Sequence, residues 1–252
     1  MNVEELLNSK FEEYCTSSFI EKDPISIPHS YSRLQDIEIT AFWSAILSWG
    51  NRTTIINKCT ELFELMDNAP HDFVLHHSDE DLKKLMSFKH RTFNTTDTLY
   101  FIDFFKRYYS KHDSLETAFS DHIHPEDENV KNGLIQFYND FFSFEDAPNR
   151  TKKHIASPDK NSACKRINMF LRWMVRDNKQ GVDFGLWGSI KTSQLICPLD
   201  VHVDRVGRKL GLLDRKQSDW KAAEELTRNL KKFDPNDPVK YDYSLFMMGI
   251  DS

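Results

Sequence analysis

The chain has 252 residues, with 33 basic and 39 acidic side chains and a formal net charge of −6. Its 8 glycines, about 3% against the usual ~7%, are too few for a glycine-rich nucleotide-binding fold or a turn-rich β-sandwich, and 13% aromatic residues exclude wholesale disorder. No apolar run nears the ~18–20 residues of a membrane span, and Met1–Lys10 carries two glutamates where a signal peptide would be basic, so a soluble, cytoplasmic protein with no membrane partner is expected.

Asp23-Pro24 and Pro28 interrupt the first stretch and mark residues 1–30 as an N-terminal extension before a single domain over 31–252. From Ile37 to Trp49 the apolar residues Ile39, Phe42, Trp43, Ile46 and Leu47 recur at helical spacing. Gly50-Asn51-Arg52 breaks the pattern, and Thr53–Met66 resumes it through Ile55, Cys59, Leu62, Phe63 and Met66, which gives a helix–turn–helix pair. Leu99–Tyr109 and Gly133–Phe144 are aromatic-rich without two-residue alternation and read as helices, with Asp121–Asn129 a polar loop between them. Ala163–Val175, Val201–Leu210, Ser218–Leu230 and Asp242–Gly249 supply further helical stretches. No alternating β-branched segment of useful length occurs, so the fold class is all-α, with helices expected in two lobes around a cleft.

Charge is distributed unevenly. Residues 150–179 hold nine basic side chains against only Asp159 and Asp177. A basic face on an acidic protein suits a phosphate backbone, because local cations release counterions whatever the distant charges do. A solvated helix face formed by Arg172, Arg176 and Lys179 is the plainer alternative.

Two helix starts carry candidate chemistry. In Ser157–Lys165, Pro158 and Asp159 mark a turn, and Lys165 then sits early in the apolar helix Arg166–Val175. The positive end of the helix dipole and the neighbouring Arg166 both favour the neutral amine, the form in which a lysine acts as a nucleophile. Asn168 follows on the same face and is placed to orient it. In Cys197–Val203, Pro198 enforces an extended approach and Asp200 is placed to start the helix Val201–Leu210. Aspartate is a preferred N-cap, and a capping aspartate can also face a cleft. The four cysteines stand far apart with no C-x-x-C pair, and His76-His77 and His122/His124 lack a framing set of ligands, so neither a metal nor another cofactor is expected.

Ser162–Leu171 (SACKRINMFL), taken with Pro198–Val206 (PLDVHVDRV), resembles the core of the helix–hairpin–helix DNA glycosylase superfamily, and Ile39–Thr60 resembles that family's first helix pair. As a whole the chain also resembles a bacterial protein family of unknown function. The superfamily resemblance implies a two-lobed helical fold in which Lys165 attacks the sugar C1′ of a damaged nucleotide and Asp200 is its electrostatic and proton-handling partner. It further implies DNA contacts from Asn51, Arg52, Lys160, Arg166, Asn168, His202 and Arg205, with Asn51 and Arg52 as the wedge. Trp49, Phe93 and Asp242 would line the pocket for the extruded base. The hairpin before Lys165 is atypical, having Ser162, Ala163 and Cys164 where the family is glycine-rich. The 35-residue separation of Lys165 and Asp200 reflects an insertion around Asn178–Gln194. Lys160 is the competing nucleophile. The absent cysteine cluster points to cluster-free enzymes such as the 8-oxoguanine glycosylases.

The implied activity is a base-excision repair glycosylase, with or without AP-lyase activity. It would remove an oxidised base such as 8-oxoguanine from duplex or single-stranded DNA as a monomer. The alternative is a non-catalytic nucleic-acid-binding protein that keeps the same fold.

Overall fold

A computed structural model describes residues 2–177 and 180–251. Those residues form α-helices and short 3-10 turns, and among them there is no strand beyond the isolated bridge between His90 and Phe93. The protein is all-α. None of its described helices is long and apolar enough to cross a membrane.

The chain divides into two compact units. The first takes the residues up to Ile20, Ser120–Ile135 and everything from Ala156 onward; the second takes Glu21–Phe119 and Gln136–Ile155. Of the stretch expected as an extension, residues 2–20 belong to the first unit and residues 21–30 to the second.

In the second unit, α3 (Leu34–Leu47) is buried on nearly every side, from Ile37 through Leu47. Its Phe42 and Trp43 pack against Phe101 and Phe105 of α7 (Thr95–Tyr109), with centroids 5.4–6.0 Å apart. Phe137 and Phe141, on the C-terminal half of α9 (Lys131–Phe141), complete this aromatic core. Edge-to-face rings gain from their quadrupoles beyond the area they bury. Glu38 of α3 is fully buried and accepts hydrogen bonds from Tyr109 Oη at 2.9 Å, Ser114 Oγ and the Leu115 amide at 2.9 Å. The turn after α3 leads into α4 (Arg52–Glu64), whose N-cap is Asn51, its side chain accepting from the Thr54 amide at 3.1 Å. Both turns of the 24–30 stretch, Pro24–Ser26 and Pro28–Ser30, pack on α3.

In the first unit, the paired helices expected from periodicity appear as α10 (Lys165–Val175), α11 (Val201–Lys209), α12 (Trp220–Leu230) and α13 (Tyr241–Ile250). The N-terminal α1 (Val3–Tyr14), for which periodicity made no prediction, starts with a capping box between Asn2 and Glu5. It packs along α13, where Ser244 Oγ donates to the Leu7 carbonyl at 2.7 Å and Tyr14 Oη to Asp251 at 2.8 Å. On its other side α13 packs on α11. Gly249 makes that approach close, since a Cβ there would lie 2.6 Å from His202 Cβ. Two small helices of the second unit, α5 (Pro70–His76) and α6 (Asp79–Lys84), together with the single turns α2 (Ser17–Ile20) and α8 (Thr117–Ser120), fall outside the predicted set.

Candidate active site

Lys165 is the first residue of α10, as its sequence position suggested. The residue before it, Cys164, is buried and left-handed at φ 52°, and Asn161 is left-handed at φ 54°. Glycine would adopt this conformation without strain, whereas a side chain pays roughly 1–2 kcal/mol for it. Two residues of the turn before α10 therefore hold a backbone conformation that favours glycine. Cys164 Sγ donates to the Ser162 carbonyl at 3.4 Å, and Asn168 Nδ2 donates to the Ala163 carbonyl at 3.1 Å. Asn168 is thus buried beneath the hairpin and braces it, so it is not a DNA contact. Burial pushes the Cys164 thiol up to about 12, which removes it as a competing nucleophile at neutral pH.

The Lys165 amine is half-buried, and its nearest polar partner is the Met169 thioether at 3.4 Å; it makes no salt bridge among the described residues. Desolvation pushes the adjacent Arg166 guanidinium down to about 10. Lys160 lies five residues earlier in the exposed turn Pro158–Lys160.

Asp200 is the N-cap of α11. Its Oδ1 accepts from the His202 amide at 2.9 Å and the Val203 amide at 3.0 Å, so the cap occupies one carboxylate oxygen and leaves Oδ2 outside it. Val201, the next residue, is 78% exposed, which places this helix start at the surface.

Asp242 joins the two helix starts. It lies within the first turn of α13, whose N-cap is Lys240, so it is a helical residue and not the cap. Burial raises its carboxyl to about 7 against the pull of Arg172, and the fields of Asp200 and Lys165 both reach it. The Arg172 guanidinium donates to Asp242 Oδ2, donates from Nε to Asp183 Oδ1 at 3.3 Å, and lies 4.2 Å above the Tyr243 ring. One turn on, Arg176 pairs with Asp183 at 3.0 Å and Asp237 at 2.9 Å.

These pairs withdraw Arg172 and Arg176 from the basic face expected over 150–179, while Lys153 and Lys160 stay exposed. Arg172 and Arg176 are buried, and their counter-charges come from Asp183, Asp237 and Asp242, all outside that window. Arg150 is taken up by Asp97. Lys179, with Asn178 at the start of the expected insertion, lies outside the described residues. The rest of the insertion has a clear role: Phe184 and Trp187 donate their amides to the Trp173 and Met174 carbonyls at 2.8 and 3.0 Å, which folds the segment back on α10 and delivers Asp183. Arg172 and Asp183 are the site residues sequence reasoning missed. The available signal was two arginines four residues apart, Arg172 in α10 and Arg176 at its C-cap, bracketing the apolar Trp173–Val175.

The remaining expected contacts are placed as follows. His202 Nδ1 donates to the Gly249 carbonyl at 3.0 Å and the Arg205 guanidinium donates to the same oxygen, so both serve the α11–α13 junction. Asn51, Arg52, Trp49 and Phe93 belong to the second unit. There Phe93 is 0% exposed, edge-on to Phe101 at 5.2 Å and to His154 at 4.9 Å. It is a core residue with no face for a base. Trp49 is half-buried between His90 at 4.9 Å and His154 at 5.8 Å. No cluster of metal-ligating side chains occurs among the described residues.

Residues 23–251 match the family described as a protein of unknown function (DUF2400), and the chain belongs to that family. No curated protein and no solved structure matches it.

Proposed function

We propose that this DUF2400 member is a DNA glycosylase of base-excision repair that removes an oxidised base such as 8-oxoguanine through Lys165. What supports it is that both helix starts lie within electrostatic reach of one buried carboxyl: the fields of the Lys165 amine and the Asp200 carboxylate are both felt at Asp242. Departure of a base builds positive charge on the deoxyribose, which a carboxylate fixed by a helix cap stabilises without reorganising. Asp200 Oδ2 takes the proton that the Lys165 ammonium must lose. The amine then bonds to C1′ as the glycosidic bond breaks and the base leaves with its electron pair. The aminal so formed opens as its C1′–O4′ bond breaks and O4′ takes back the proton held by Asp200, and the Schiff base this leaves is the branch point for β-elimination, the AP-lyase step. Asp242, titrating about 7, can offer an extruded base either a donor or an acceptor.

A second reading, a nucleic-acid-binding protein without catalysis, is favoured by one observation: capping α11 is a sufficient structural role for Asp200. Sodium borohydride separates the two. With oligonucleotides containing 8-oxoguanine or an abasic site, the glycosylase reading expects a covalent adduct that Lys165→Gln abolishes, while Asp200→Asn keeps binding and loses base release. Binding without an adduct across a panel of lesions decides for the second reading.

A further inference from the structure

Beyond the Lys165–Asp200 site, the first unit carries a run of cations that no step above uses. On α11 the outward cation is Lys209, exposed near the C-terminal end, since the Arg205 guanidinium is taken by the Gly249 carbonyl. The far end of that helix is tied to the following loop: Arg208 donates to the Arg215 carbonyl at 2.6 Å, and Ser218 Oγ donates to Asp204 at 2.6 Å. Against this loop and the outer face of α12 lies a groove of about 530 Å³ rimmed by Lys216, Lys221 and Arg228. Lys209, Lys216, Lys221 and Arg228 enter no salt bridge among the described residues. The two carboxylates in the groove are engaged elsewhere: Glu225 accepts the Asp214 amide at 2.7 Å, and Glu224 accepts from Asn129 at 3.2 Å.

We infer that Lys209 and this groove hold the phosphates of the nucleic-acid strand leading away from the Lys165–Asp200 site. The groove lacks the apolar and aromatic lining of a small-molecule pocket and of a base-stacking platform; its long flexible cations match a backbone that is positioned by charge and not read by sequence. The spacing fits as well. A helix of 9 residues is about 14 Å long at ~1.5 Å per residue, which spans about four phosphates of one strand at ~3.4 Å of axial rise each. The cationic footprint therefore lies at the end of α11 and on α12, not at Arg172 and Arg176, which are buried.

The inference rests on the glycosylase reading for the identity of the strand, but its test is a binding measurement that needs no catalysis. Oligonucleotides bearing one abasic analogue are extended by zero, two, four or six nucleotides on either side of it, and their affinities are measured at several salt concentrations. Extension on one side alone should raise affinity, levelling off beyond about four nucleotides. The triple variant Lys216→Gln, Lys221→Gln, Arg228→Gln should lose that gain and show a slope of log K against log salt shallower by about two to three. A gain that survives in the triple variant, or no gain on either side, overturns the track. Borohydride trapping on the shortest length, made with a true abasic site whose C1′ aldehyde can form the imine, is read in parallel: its failure there, with the length effect intact, counts against Lys165 chemistry and leaves the track standing.

Discussion

Each unit buries an aspartate against an arginine, and the two carboxyls shift in opposite directions. Burial is the largest influence on both and raises both. In the second unit, Asp97 nevertheless falls to about 2, because His154, Thr151 Oγ1 at 2.7 Å and the Asn94 amide at 2.9 Å together outweigh it. Arg150 also donates to Asp97 Oδ2. In the first unit, Asp242 rises to about 7, since among the described residues Arg172 is the donor it meets, with its charge shared with Asp183, and since Asp200 adds like charge. An arginine partner alone does not decide the state of a buried carboxyl; the number of donors around it does. Asp97 is locked as an anion that fastens the 150–154 segment to the start of α7, whereas Asp242 remains titratable near neutrality, which is the property an active site needs.

The largest effects come from the arginines. Arg172→Gln leaves Asp183 and Asp242 without their shared cation in a place that is 4% exposed at Arg172. It should cost roughly 3–5 kcal/mol in urea unfolding. Arg150 is 36% exposed, and Thr151 and the Asn94 amide still satisfy Asp97 when it is removed, so Arg150→Gln should cost only about 1 kcal/mol. Equal losses would erase the contrast between the two pairs.

This contrast marks the limit of what the sequence discloses. Local signals placed the two helix starts: Asp200 caps the helix that begins at Val201, and Lys165 opens the helix that follows the 158–164 turn. Apolar periodicity likewise located α3 and α4 to within a few residues, because each buries a wide apolar surface. It could not find α6, whose residues Asp79–Lys84 include a single apolar side chain and no buried face. Pairing was hidden as well. Arg172 meets Asp242 across seventy residues of chain, so counting charge in a window took for a surface what is an interior network. His202 and Arg205 looked like phosphate ligands for the same reason, since their common acceptor is a carbonyl at the end of α13.

Neutral replacements of the aspartates come next. Asp97→Asn sets an amide NH2 against donors that now meet a carboxylate, and should cost about 2 kcal/mol at pH 6. Asp242→Asn copies the protonated acid that already predominates at that pH and should cost less than about 1 kcal/mol. Thermal and urea unfolding of both variants measure the difference; the reverse ranking would mean that Asp242 is held ionised.

The smallest effect is the dependence of that difference on pH, and its sign is fixed by which state holds the proton. An unfolded aspartate releases its proton near ~3.9. Folded Asp242 keeps its own until about 7, so its contribution is complete below ~4 and is lost as pH rises through 7. Asp97, depressed to about 2, contributes above ~4 and loses its effect as pH falls toward 2. Between pH 6 and 7, Asp242→Asn should therefore gain about 1 kcal/mol on the wild type, while the gap for Asp97→Asn stays constant and narrows only below pH 4. Urea curves at pH 3, 6 and 7 suffice. If the Asp242→Asn gap were flat between pH 6 and 7, the carboxyl would not be titrating there, and with it would go the case for a neutral donor beside Lys165.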